Sequence, residues 1–331
     1  MRNIRELHDI AGKRALVRVD WNVPIENGQV VDDFRIRKSL PTIELLQKAG
    51  AEVTLCTHLE PEDSSVEPLV KFVPTGVKLL PNLRSDSREK GNDDSFAKEL
   101  ASGADIYVNE AFSASHREHA SIVLVPKLIP SFAGLQFAEE VENLSKAFKP
   151  KHPFFFVLGG AKFETKLPLL KKFIEVADKV FIGGALANDF FKSRGMDVGS
   201  SLVSSKDLGQ RDLLSTGKIM IPRDTTLSGD RIVDAGPETM EDLIDKVSEA
   251  KMILWNGPLG EYEKGHKRYT LELARMIAES KAESIVGGAD TLAAIKELGL
   301  FDKFSFVSTG GGAMLDFLAN GTLPGIEALK G

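Results

Sequence analysis

The feature that most constrains this chain is a repeated join, in which a short apolar run ends in glycine and a helix-like segment follows. Near-continuous apolar strands that alternate with helices are typical of parallel sheets covered by helices. The pattern therefore predicts an α/β fold built on parallel sheets. The five joins of the second half are Val157-Leu158-Gly159-Gly160-Ala161-Lys162, Phe181-Ile182-Gly183-Gly184-Ala185, Leu254-Trp255-Asn256-Gly257-Pro258, Val286-Gly287-Gly288-Ala289-Asp290 and Ser308-Thr309-Gly310-Gly311-Gly312-Ala313.

Other segments extend this pattern through the chain. Apolar runs predict strands at 15–19, 53–57 and 106–108 in the first half, and at 154–158, 180–182, 252–255, 284–286 and 304–307 in the second. One apolar stripe has helical spacing and is closed by Gly50 as a stop signal. Its members are Ile36, Leu40, Ile43, Leu46 and Ala49.

The length of 331 residues is too great for one small core and suits two domains. A cluster of helix-breaking residues at 130–134 is followed by a charged helical stretch from Glu139 to Phe148. Pro150 and Pro153 then precede a new strand. We therefore expect a domain boundary within residues 130–153, although a loop and helix inside one large domain would fit the same signals.

Composition narrows the class of protein. The 42 Lys and Arg residues against 48 Asp and Glu give a formal net charge of −6, which disfavours nucleic acid as a partner. No apolar run approaches the roughly 18 residues of a membrane helix, and residues 1–6 contain no apolar signal segment. The single cysteine, Cys56, excludes an internal disulfide and a cysteine-based zinc site. We therefore expect a cytoplasmic enzyme.

The glycine joins also predict a ligand site. In a parallel sheet these strand ends share one edge, where backbone N–H groups of glycine and the start of the next helix can approach an anion. A tight turn alone could explain one double glycine, but five at one edge predict a phosphate or nucleotide site. No G-x-G-x-x-G or G-x-x-x-x-G-K-[ST] motif occurs, which disfavours dinucleotide-binding and P-loop proteins. The H-R-D and D-F-G loops of protein kinases are also missing.

Charged residues near these joins have alternative interpretations. Lys162 and Lys166 follow the Gly159-Gly160 turn, and helical spacing would place both ammonium groups on one face, beside a transferring phosphoryl group. An ordinary solvated helix face is the alternative. Asp290 could cap a helix or contact Mg²⁺. Glu263 could accept hydrogen bonds from a ribose or be a surface acid.

The first half places polar residues where its predicted strands end. Asp20 and Asn22 follow the first strand, and His58 ends the second. Three arginines accompany them, and the planar guanidinium favours phosphate and carboxylate. This cluster predicts a small polyanion as ligand, although any one arginine could be an ordinary surface residue. The arginines are Arg35, Arg84 and Arg117, and further histidines stand at His116 and His119. No H-E-x-x-H pattern or cysteine supports a metal site at the histidines.

With these residues in view, the sequence resembles the phosphoglycerate kinase family nearly from end to end. The strings that carry the resemblance in the first half are Arg18-Val19-Asp20-Trp21-Asn22-Val23-Pro24, Asp32-Asp33-Phe34-Arg35-Ile36, Asn82-Leu83-Arg84 and His116-Arg117-Glu118-His119-Ala120-Ser121. Those of the second half are Leu158-Gly159-Gly160-Ala161-Lys162, Trp255-Asn256-Gly257-Pro258 and Ser308-Thr309-Gly310-Gly311-Gly312-Ala313. Chance similarity does not explain so many motifs in the same order.

The resemblance implies two doubly wound, parallel-sheet (Rossmann-like) α/β domains that face a cleft and are joined by a hinge helix. Residues 1–133 with 318–331 would form the domain for 3-phosphoglycerate, and residues 152–317 the domain for the nucleotide. Residues 134–151 would form the linker helix. Hinge closure would precede the reaction.

The resemblance also implies site residues. Those expected to bind 3-phosphoglycerate are Asp20, Asn22, Arg35, His58, Arg84 and Arg117. Those expected at the nucleotide are Gly160, Lys166, Gly183, Gly184, Asn256, Pro258, Glu263, Gly288, Asp290 and Thr291, with Asp290 also at Mg²⁺. Those expected to stabilise the phosphoryl group during transfer are Arg35, Lys162, Gly311 and Gly312.

The implied activity is that of a glycolytic kinase, which reversibly transfers a phosphoryl group from 1,3-bisphosphoglycerate to Mg-ADP and yields 3-phosphoglycerate and ATP. Both nucleophiles, a carboxylate and a phosphate oxygen, are ionised at neutral pH. Alignment and charge neutralisation would therefore suffice, without a general base. We expect a monomer that has neither nucleic acid nor a membrane as partner.

The sequence also departs from the family pattern. His58-Leu59-Glu60-Pro61-Glu62 replaces H-L-G-R-P, so one substrate arginine is missing. The stretch after it and the region 200–233 are shortened, and Asn109-Glu110-Ala111-Phe112 stands for N-D-A-F. An alternative is therefore a catalytically impaired relative that binds nucleotide or phosphate. A dehydrogenase is a second alternative, which the missing dinucleotide motif disfavours.

Overall fold

The computed structural model describes residues 1–7, 9–204 and 209–330. The chain divides into two compact units: unit 1 comprises Met1–Glu142 and the segment from Asn320 onward, and unit 2 comprises Asn143–Ala319. Two predicted segments lie partly outside the described residues, namely 200–233 at residues 205–208 and 318–331 at Gly331. None of the helices described is both long and apolar enough to cross a membrane.

The elements of unit 1 begin close to the positions that the apolar runs predict. Its strands are β1 (Arg14–Arg18), β2 (Ile25–Glu26), β3 (Gln29–Val30), β4 (Glu52–Cys56), β5 (Lys78–Leu79), β6 (Ile106–Asn109) and β7 (Ser131–Ala133). The helices up to the unit boundary are α1 (Phe34–Lys48), α2 (Ser87–Lys90), α3 (Asp94–Ser102), α4 (Val125–Leu128) and α5 (Leu135–Ser145). The boundary between the units falls within α5.

Unit 1 is built on a parallel sheet with the strand order β5-β4-β1-β6-β7. Val17 of β1 pairs with Leu55 of β4 on one side and with Val108 of β6 on the other. The direction in which strands are added reverses at β1. The carboxyl ends of β1 and β6 therefore flank the position where open α/β sheets bind ligands.

The helical stripe of α1 covers the core of unit 1. Ile36, Ile43 and Leu46 are fully buried in the same apolar cluster as the strands β1 and β4. Gly50 follows the helix with φ +83°, a left-handed conformation that favours glycine as a helix stop. Ala49 is exposed because α1 ends one residue before it.

Unit 2 contains the elements that follow α5, up to Ala319 in the helix Gly312–Asn320, whereas the helix Pro324–Ala328 belongs to unit 1. Its strands are β8 (Phe154–Leu158), β9 (Lys179–Ile182), β10 (Ile219–Met220), β11 (Thr225–Ser228), β12 (Arg231–Ala235), β13 (Met252–Asn256), β14 (Glu283–Gly287) and β15 (Phe306–Val307). The remaining helices of the chain are α6 (Phe163–Val176), α7 (Ala185–Ser193), α8 (Gln210–Ser215), α9 (Pro237–Glu249), α10 (Arg268–Glu279), α11 (Ala289–Glu297), α12 (Gly312–Asn320) and α13 (Pro324–Ala328).

The main sheet of unit 2 is also parallel, with the order β10-β9-β8-β13-β14-β15. The strand order reverses at β8, so the carboxyl ends of β8 and β13 mark the expected ligand position. Aromatic residues fill the core beside β8, where the rings of Phe156 and Phe173 lie 5.1 Å apart. β11 and β12 form a separate antiparallel ribbon.

Short strands are the main difference from the sequence-based expectation. β5 and β10 have two residues each, too few to display a period, and the sequence did not predict them.

The helix expected from Glu139 begins earlier, as α5, and ends in a short turn at Lys146–Phe148. Its earlier start has a polar cause, because the buried carboxyl group of Glu110 accepts hydrogen bonds from the backbone N–H groups of Gln136 and Phe137.

The segment that contains α13 packs within unit 1. The backbone N–H of Gly325 donates to the carbonyl of Ser115 at 2.9 Å. A Cβ atom at Gly325 would lie 2.6 Å from the Ser115 hydroxyl, so the close approach requires glycine.

Candidate functional site

The glycines at the ends of β8 and β13 bring two loops of unit 2 into direct backbone contact. Gly159 N donates to Asn256 O at 2.8 Å, and Gly160 N donates to Pro258 O at 2.9 Å. A Cβ at Gly159 would lie 2.2 Å from Pro258 O, and one at Gly257 would lie 2.4 Å from Gly159 O. These glycines therefore allow the loops to pack against each other.

The role of the double glycines differs from the expected one, because their N–H groups bond to protein carbonyls. The N–H groups of Gly183 and Gly184 also have protein acceptors, the carbonyls of Leu158 and Leu259. The expectation that such N–H groups remain available for a ligand is therefore wrong at Gly159, Gly160, Gly183 and Gly184. They shape the edge of a site instead of supplying its donors.

A cavity of about 220 Å³ opens beside these loops. Gly160, Gly184, Pro258, Glu263 and Asp290 of the predicted nucleotide residues line it. Its apolar wall consists of residues that the sequence analysis did not single out, namely Phe191, Leu202, Pro222, Ile232 and Leu259. A cavity that combines an apolar wall with polar groups is typical of small-molecule sites.

Asp234 is a further lining residue that the sequence analysis missed. Its side chain is buried, and burial raises the pKa of its carboxyl group to about 6. The carboxylate accepts a hydrogen bond from Ala235 N at 2.9 Å. It lies on a short strand outside the main sheet, where no glycine join marked a site.

Lys162 and Lys166 do not share a helix face. Lys162 precedes α6 and has a left-handed backbone with φ +63°, so the helical repeat does not relate the two side chains. The one-face prediction is therefore wrong. The Lys162 side chain is exposed. Lys166 points back to the strand end, and its Nζ lies 2.5 Å from Gly159 O. Burial lowers the pKa of Lys166 to about 8, against the opposing effect of Asp290.

Asp290 lies in the first turn of α11, as predicted, but the N-cap position belongs to Gly288. Burial and the negative charge of Glu263 raise the pKa of Asp290, while Lys166 opposes this shift. Glu263 is exposed in a short helical turn at Tyr262–Lys264. The negative charge of Glu263 therefore acts on Asp290 beside the cavity.

Two other predicted nucleotide residues hold the strand ends together. Thr291 is buried, and its Oγ1 accepts a hydrogen bond from Gly257 N at 2.9 Å. Asn256 Nδ2 donates to Gly287 O at 3.0 Å. The Asn256 contact joins the carboxyl ends of β13 and β14, and the Thr291 contact joins the loop after β13 to the first turn of α11.

The last glycine join lies after β15. Gly310 N donates to Ser308 Oγ at 3.1 Å, and Gly311 has φ +52°. Gly312 is the first residue of α12. The predicted transfer residues Gly311 and Gly312 therefore occupy a loop-to-helix transition at the carboxyl end of a strand.

The centre of the basic cluster in unit 1 is Arg18, which the sequence analysis missed as a functional residue. Its guanidinium group is fully buried and donates from Nε to Ser121 Oγ at 2.9 Å and from Nη1 to Val19 O at 2.7 Å. Its Nη2 lies 3.0 Å from His58 Nδ1 and 4.0 Å from Glu89 Oε1. The motif at 18–24 includes Arg18, but as the last residue of a strand it carried no separate signal.

Asp20, Asn22 and Arg35 meet at the carboxyl end of β1. Arg35 Nη1 donates to Asp20 Oδ2 at 2.9 Å and approaches Asn22 O at 3.5 Å. Ser113 also donates to Asp20 Oδ2. The buried Oδ1 of Asp20 has no hydrogen-bond partner among residues 1–7, 9–204 and 209–330.

Arg84 and Arg117 add positive charge to the same cluster. The Arg84 side chain is only 3% exposed, and its buried Nε has no hydrogen-bond partner in the described part of the chain. Burial and the nearby charges of Arg117 and Arg18 lower the pKa of Arg84 to about 10. Arg117 itself is exposed.

Two histidines of the cluster, His58 and His119, are held neutral. Burial, reinforced by Arg18, Arg84 and Arg117, lowers the pKa of His58. Half-burial and the same arginines lower the pKa of His119 to about 4. All six residues predicted to bind 3-phosphoglycerate thus lie in unit 1. The guanidinium groups of Arg18, Arg84 and Arg117 are close enough to affect the ionisable groups of this cluster.

Comparison with known proteins identifies the family. The sequence model described as "Phosphoglycerate kinase" matches residues 4–73 and 63–321. Phosphoglycerate kinases from Leptospira biflexa and Rubrobacter xylanophilus are 38% and 37% identical to this chain, and the alignments cover 98% and 99% of it and 97% and 98% of the relatives. Both alignments span 384 positions, so they contain gaps in this 331-residue chain.

Solved structures agree with these relatives. The structure of phosphoglycerate kinase from Coxiella burnetii matches with a TM-score of 0.87 and 32% identity, covering 99% of this chain and 98% of that one. The enzyme from Pyrococcus horikoshii matches with the same TM-score at 27% identity, covering 100% and 98%. The predicted parallel α/β fold is confirmed, and the chain belongs to the phosphoglycerate kinase family.

Proposed function

We propose that this chain catalyses the reversible transfer of a phosphoryl group between 1,3-bisphosphoglycerate and Mg-ADP. The observation that carries this proposal is the Nε donor of the buried Arg84 guanidinium at the ligand edge of unit 1, which no group in the described residues accepts from. A buried charged donor is costly unless an anion binds it. A phosphate or carboxylate of the acid substrate would supply that anion.

The remaining residues of the basic cluster would orient the acid substrate. Arg35 and Arg117 would bind its anionic groups, because arginine matches phosphate and carboxylate geometry. His58 would donate from Nε2, since its Nδ1 faces Arg18. Asp20 and Asn22 would position Arg35 and accept hydrogen bonds from the substrate hydroxyl group.

The cavity of unit 2 would hold the nucleotide. Its apolar wall suits the face of a base, and Glu263 at its mouth suits a ribose hydroxyl. Lys166 would turn from Gly159 O to the phosphates. The backbone contacts and hydrogen bonds described above would give this site its shape. The residues that take part are Gly160, Gly183, Gly184, Asn256, Pro258, Gly288 and Thr291.

The residues present fit Mg²⁺ at Asp290. Mg²⁺ commonly binds one or two carboxylates and takes its other ligands from water and substrate phosphates. Asp290 is a half-buried carboxylate, and its burial together with the negative charge of Glu263 raises its pKa. Across the residues that the structure describes, no group of three or more histidine, cysteine or acidic side chains forms a metal cage. When bound, Mg²⁺ would neutralise phosphate charge and help to align the nucleotide.

Transfer would need no general base, because both attacking oxygens are already ionised. Lys162 and Arg35 would stabilise the negative charge that spreads over the phosphoryl oxygens, together with the backbone at Gly311 and Gly312. We propose that the enzyme works as a cytoplasmic monomer in glycolysis, with no nucleic acid or membrane as partner.

A coupled assay with Mg-ATP and 3-phosphoglycerate tests this function. We expect turnover that requires both substrates. One observation favours the alternative of an impaired phosphate-binding relative, because Glu60 stands in the basic cluster and pairs with Arg84. No turnover at millimolar substrate, with nucleotide binding intact, would support that alternative.

A further inference from the structure

An acidic side chain lies inside the basic cluster, at the segment where the family arginine is missing. The Glu60 carboxylate accepts a hydrogen bond from Arg84 Nη1. The Glu60 side chain is 58% exposed, whereas the Arg84 side chain is 3% exposed. The acid therefore approaches a buried guanidinium group from the solvent side, which is the side that a ligand would use.

Two asparagine side chains, Asn22 and Asn82, hold the backbone of the loop that carries Glu60. Glu60 N donates to Asn22 Oδ1 at 3.2 Å. Asn82 accepts from Leu59 N at 2.9 Å and from Arg84 N at 3.1 Å through the same Oδ1 atom. One side chain therefore fastens both the loop that carries Glu60 and the turn that carries Arg84.

Asn82 also binds this loop further along. Its Nδ2 donates to Leu59 O at 3.2 Å and to Glu62 O at 3.0 Å. The backbone on both sides of Glu60 is thus held by hydrogen bonds to Asn82, a side chain that is only 5% exposed. A flexible surface acid would lack these constraints.

Charge explains why Arg84 attracts this carboxylate. Arg117 and Arg18 repel the Arg84 guanidinium, and the attraction from Glu89 and Asp20 is smaller. An anion on the solvent side of Arg84 relieves this repulsion. Glu60 provides such an anion from within the chain.

We infer that Glu60 sets the affinity of the acid-substrate site by occupying Arg84, so that the anionic substrate must displace its carboxylate. This inference rests on the proposed function. Displacement is feasible because the exposed carboxylate can return to water while the substrate neutralises Arg84. The missing arginine and the added acid then weaken binding for one shared reason, which is the loss of net positive charge.

The test measures the binding of 3-phosphoglycerate to the full chain by titration calorimetry. Glu60→Gln removes the charge and keeps the length of the side chain, and Glu60→Ala removes the carboxylate altogether. Glu62→Gln is the matched control, because Glu62 is also an acid of this loop but pairs with Lys90 instead of Arg84. Thermal unfolding verifies that each variant is folded.

We expect both Glu60 variants to lower the Kd for 3-phosphoglycerate about threefold to tenfold, as for the loss of a partly exposed competing ion pair. The KM for 3-phosphoglycerate should fall by a similar factor, whereas the KM for ATP should stay unchanged. Glu62→Gln should leave the Kd within about twofold. A purely structural role of Glu60 would not separate the two KM values.

Equal or weaker binding by both Glu60 variants would overturn the inference, as would an equal gain in Glu62→Gln. A parallel titration with inorganic sulfate separates this inference from the proposed function. If the native chain shows no turnover but the Glu60 variants bind sulfate more tightly, the proposed function fails and the competition at Arg84 stands. If neither anion binds to any variant, the inference is wrong.

Discussion

Arg18 Nη2 lies 3.0 Å from His58 Nδ1, and both side chains are buried. An arginine keeps its protons, so His58 Nδ1 must be the acceptor and the ring proton must lie on Nε2. Burial and the charges of three arginines lower the pKa of His58, so the ring remains neutral. The pair thereby presents a neutral N–H donor instead of a further cation.

A neutral His58 predicts a specific response to substitution. His58→Gln keeps an N–H donor and should retain most of the affinity for 3-phosphoglycerate. His58→Leu should lose about 2 kcal/mol of binding free energy, roughly a 30-fold rise in Kd. Calorimetry from pH 5.5 to 8 provides the check. The ratio of native to His58→Gln affinity should be independent of pH, because no histidine charge is lost. A ratio that rises towards low pH would show that His58 binds as a cation.

We predict that two substitutions of Lys162 lower turnover equally but differ in their free energy of unfolding. Lys162→Ala and Lys162→Gly should both lower turnover by about 10²–10³-fold, because a charge at the phosphoryl group is lost. The nucleotide Kd should change by less than about twofold. Lys162→Gly should also be more stable than Lys162→Ala by about 1 kcal/mol, since φ is +63° at this position.

Steady-state rates, nucleotide titration and urea unfolding measure these three effects. Lys171→Ala is the control, because Lys171 is an exposed lysine of α6, the helix that Lys162 precedes. It should leave the three quantities unchanged. An equal loss of turnover and nucleotide affinity in Lys162→Ala would contradict the proposed role.

Asp290 predicts a change in metal dependence. Asp290→Asn should raise the free Mg²⁺ concentration for half-maximal rate by at least about tenfold, because a ligand charge is removed. Nucleotide binding without Mg²⁺ should not weaken, since one negative charge near the phosphates is gone. Rates over a Mg²⁺ series at fixed ATP provide the measurement. Asp302→Asn, at an exposed acid of the same unit, is the control. An unaltered Mg²⁺ dependence would place the metal elsewhere.

The fold was predictable to the extent that its strands are long and apolar. β8 and β13 are buried along their full length and read as continuous apolar runs. β5 and β10 have two residues each and show no period, so sequence patterns could not reveal them. The fold class was nevertheless predicted correctly, because helical segments separate the successive strands of each parallel sheet, whatever the exact strand count.

The site was predictable as a set of residue types but not as a set of contacts. The motifs named Arg84, yet its partner Glu60 lies 24 positions away and is held there by Asn82. The helical repeat failed at Lys162 because the backbone there is left-handed. Arg18 was overlooked because a buried charge at the end of a strand becomes meaningful only when its partners are known.

A comparison of Gly257 with Gly265 separates the need for close packing from the need for a left-handed backbone. A Cβ at this position would lie 2.4 Å from Gly159 O, and φ is +93°. Gly257→Ala should therefore lower the free energy of unfolding by about 3 kcal/mol and weaken nucleotide binding. Gly265 is the matched control, because its φ is +89° and a Cβ there would meet no atom within 4 Å. Gly265→Ala should cost only about 1 kcal/mol. Equal losses in urea unfolding would show that the loops do not need this close contact.

Glu110 predicts a pH dependence of stability. Its carboxyl group is fully buried, and burial raises its pKa from 4.5 to about 7 against hydrogen bonds from Thr42 and the start of α5. Since the folded state favours the protonated form, the stabilisation is complete below pH 4.5 and is lost as the pH rises through about 7. Urea unfolding should be measured at pH 4.5 and at pH 8. Between these pH values, the free energy of unfolding of the native chain should fall by up to about 3 kcal/mol relative to that of Glu110→Gln. The amide that Glu110→Gln introduces cannot titrate, so the comparison isolates the effect of the Glu110 carboxyl group. Glu118→Gln is the control, because Glu118 is an exposed acid, and it should show no such difference. A constant difference between native and Glu110→Gln stability would mean that Glu110 is ionised throughout this range.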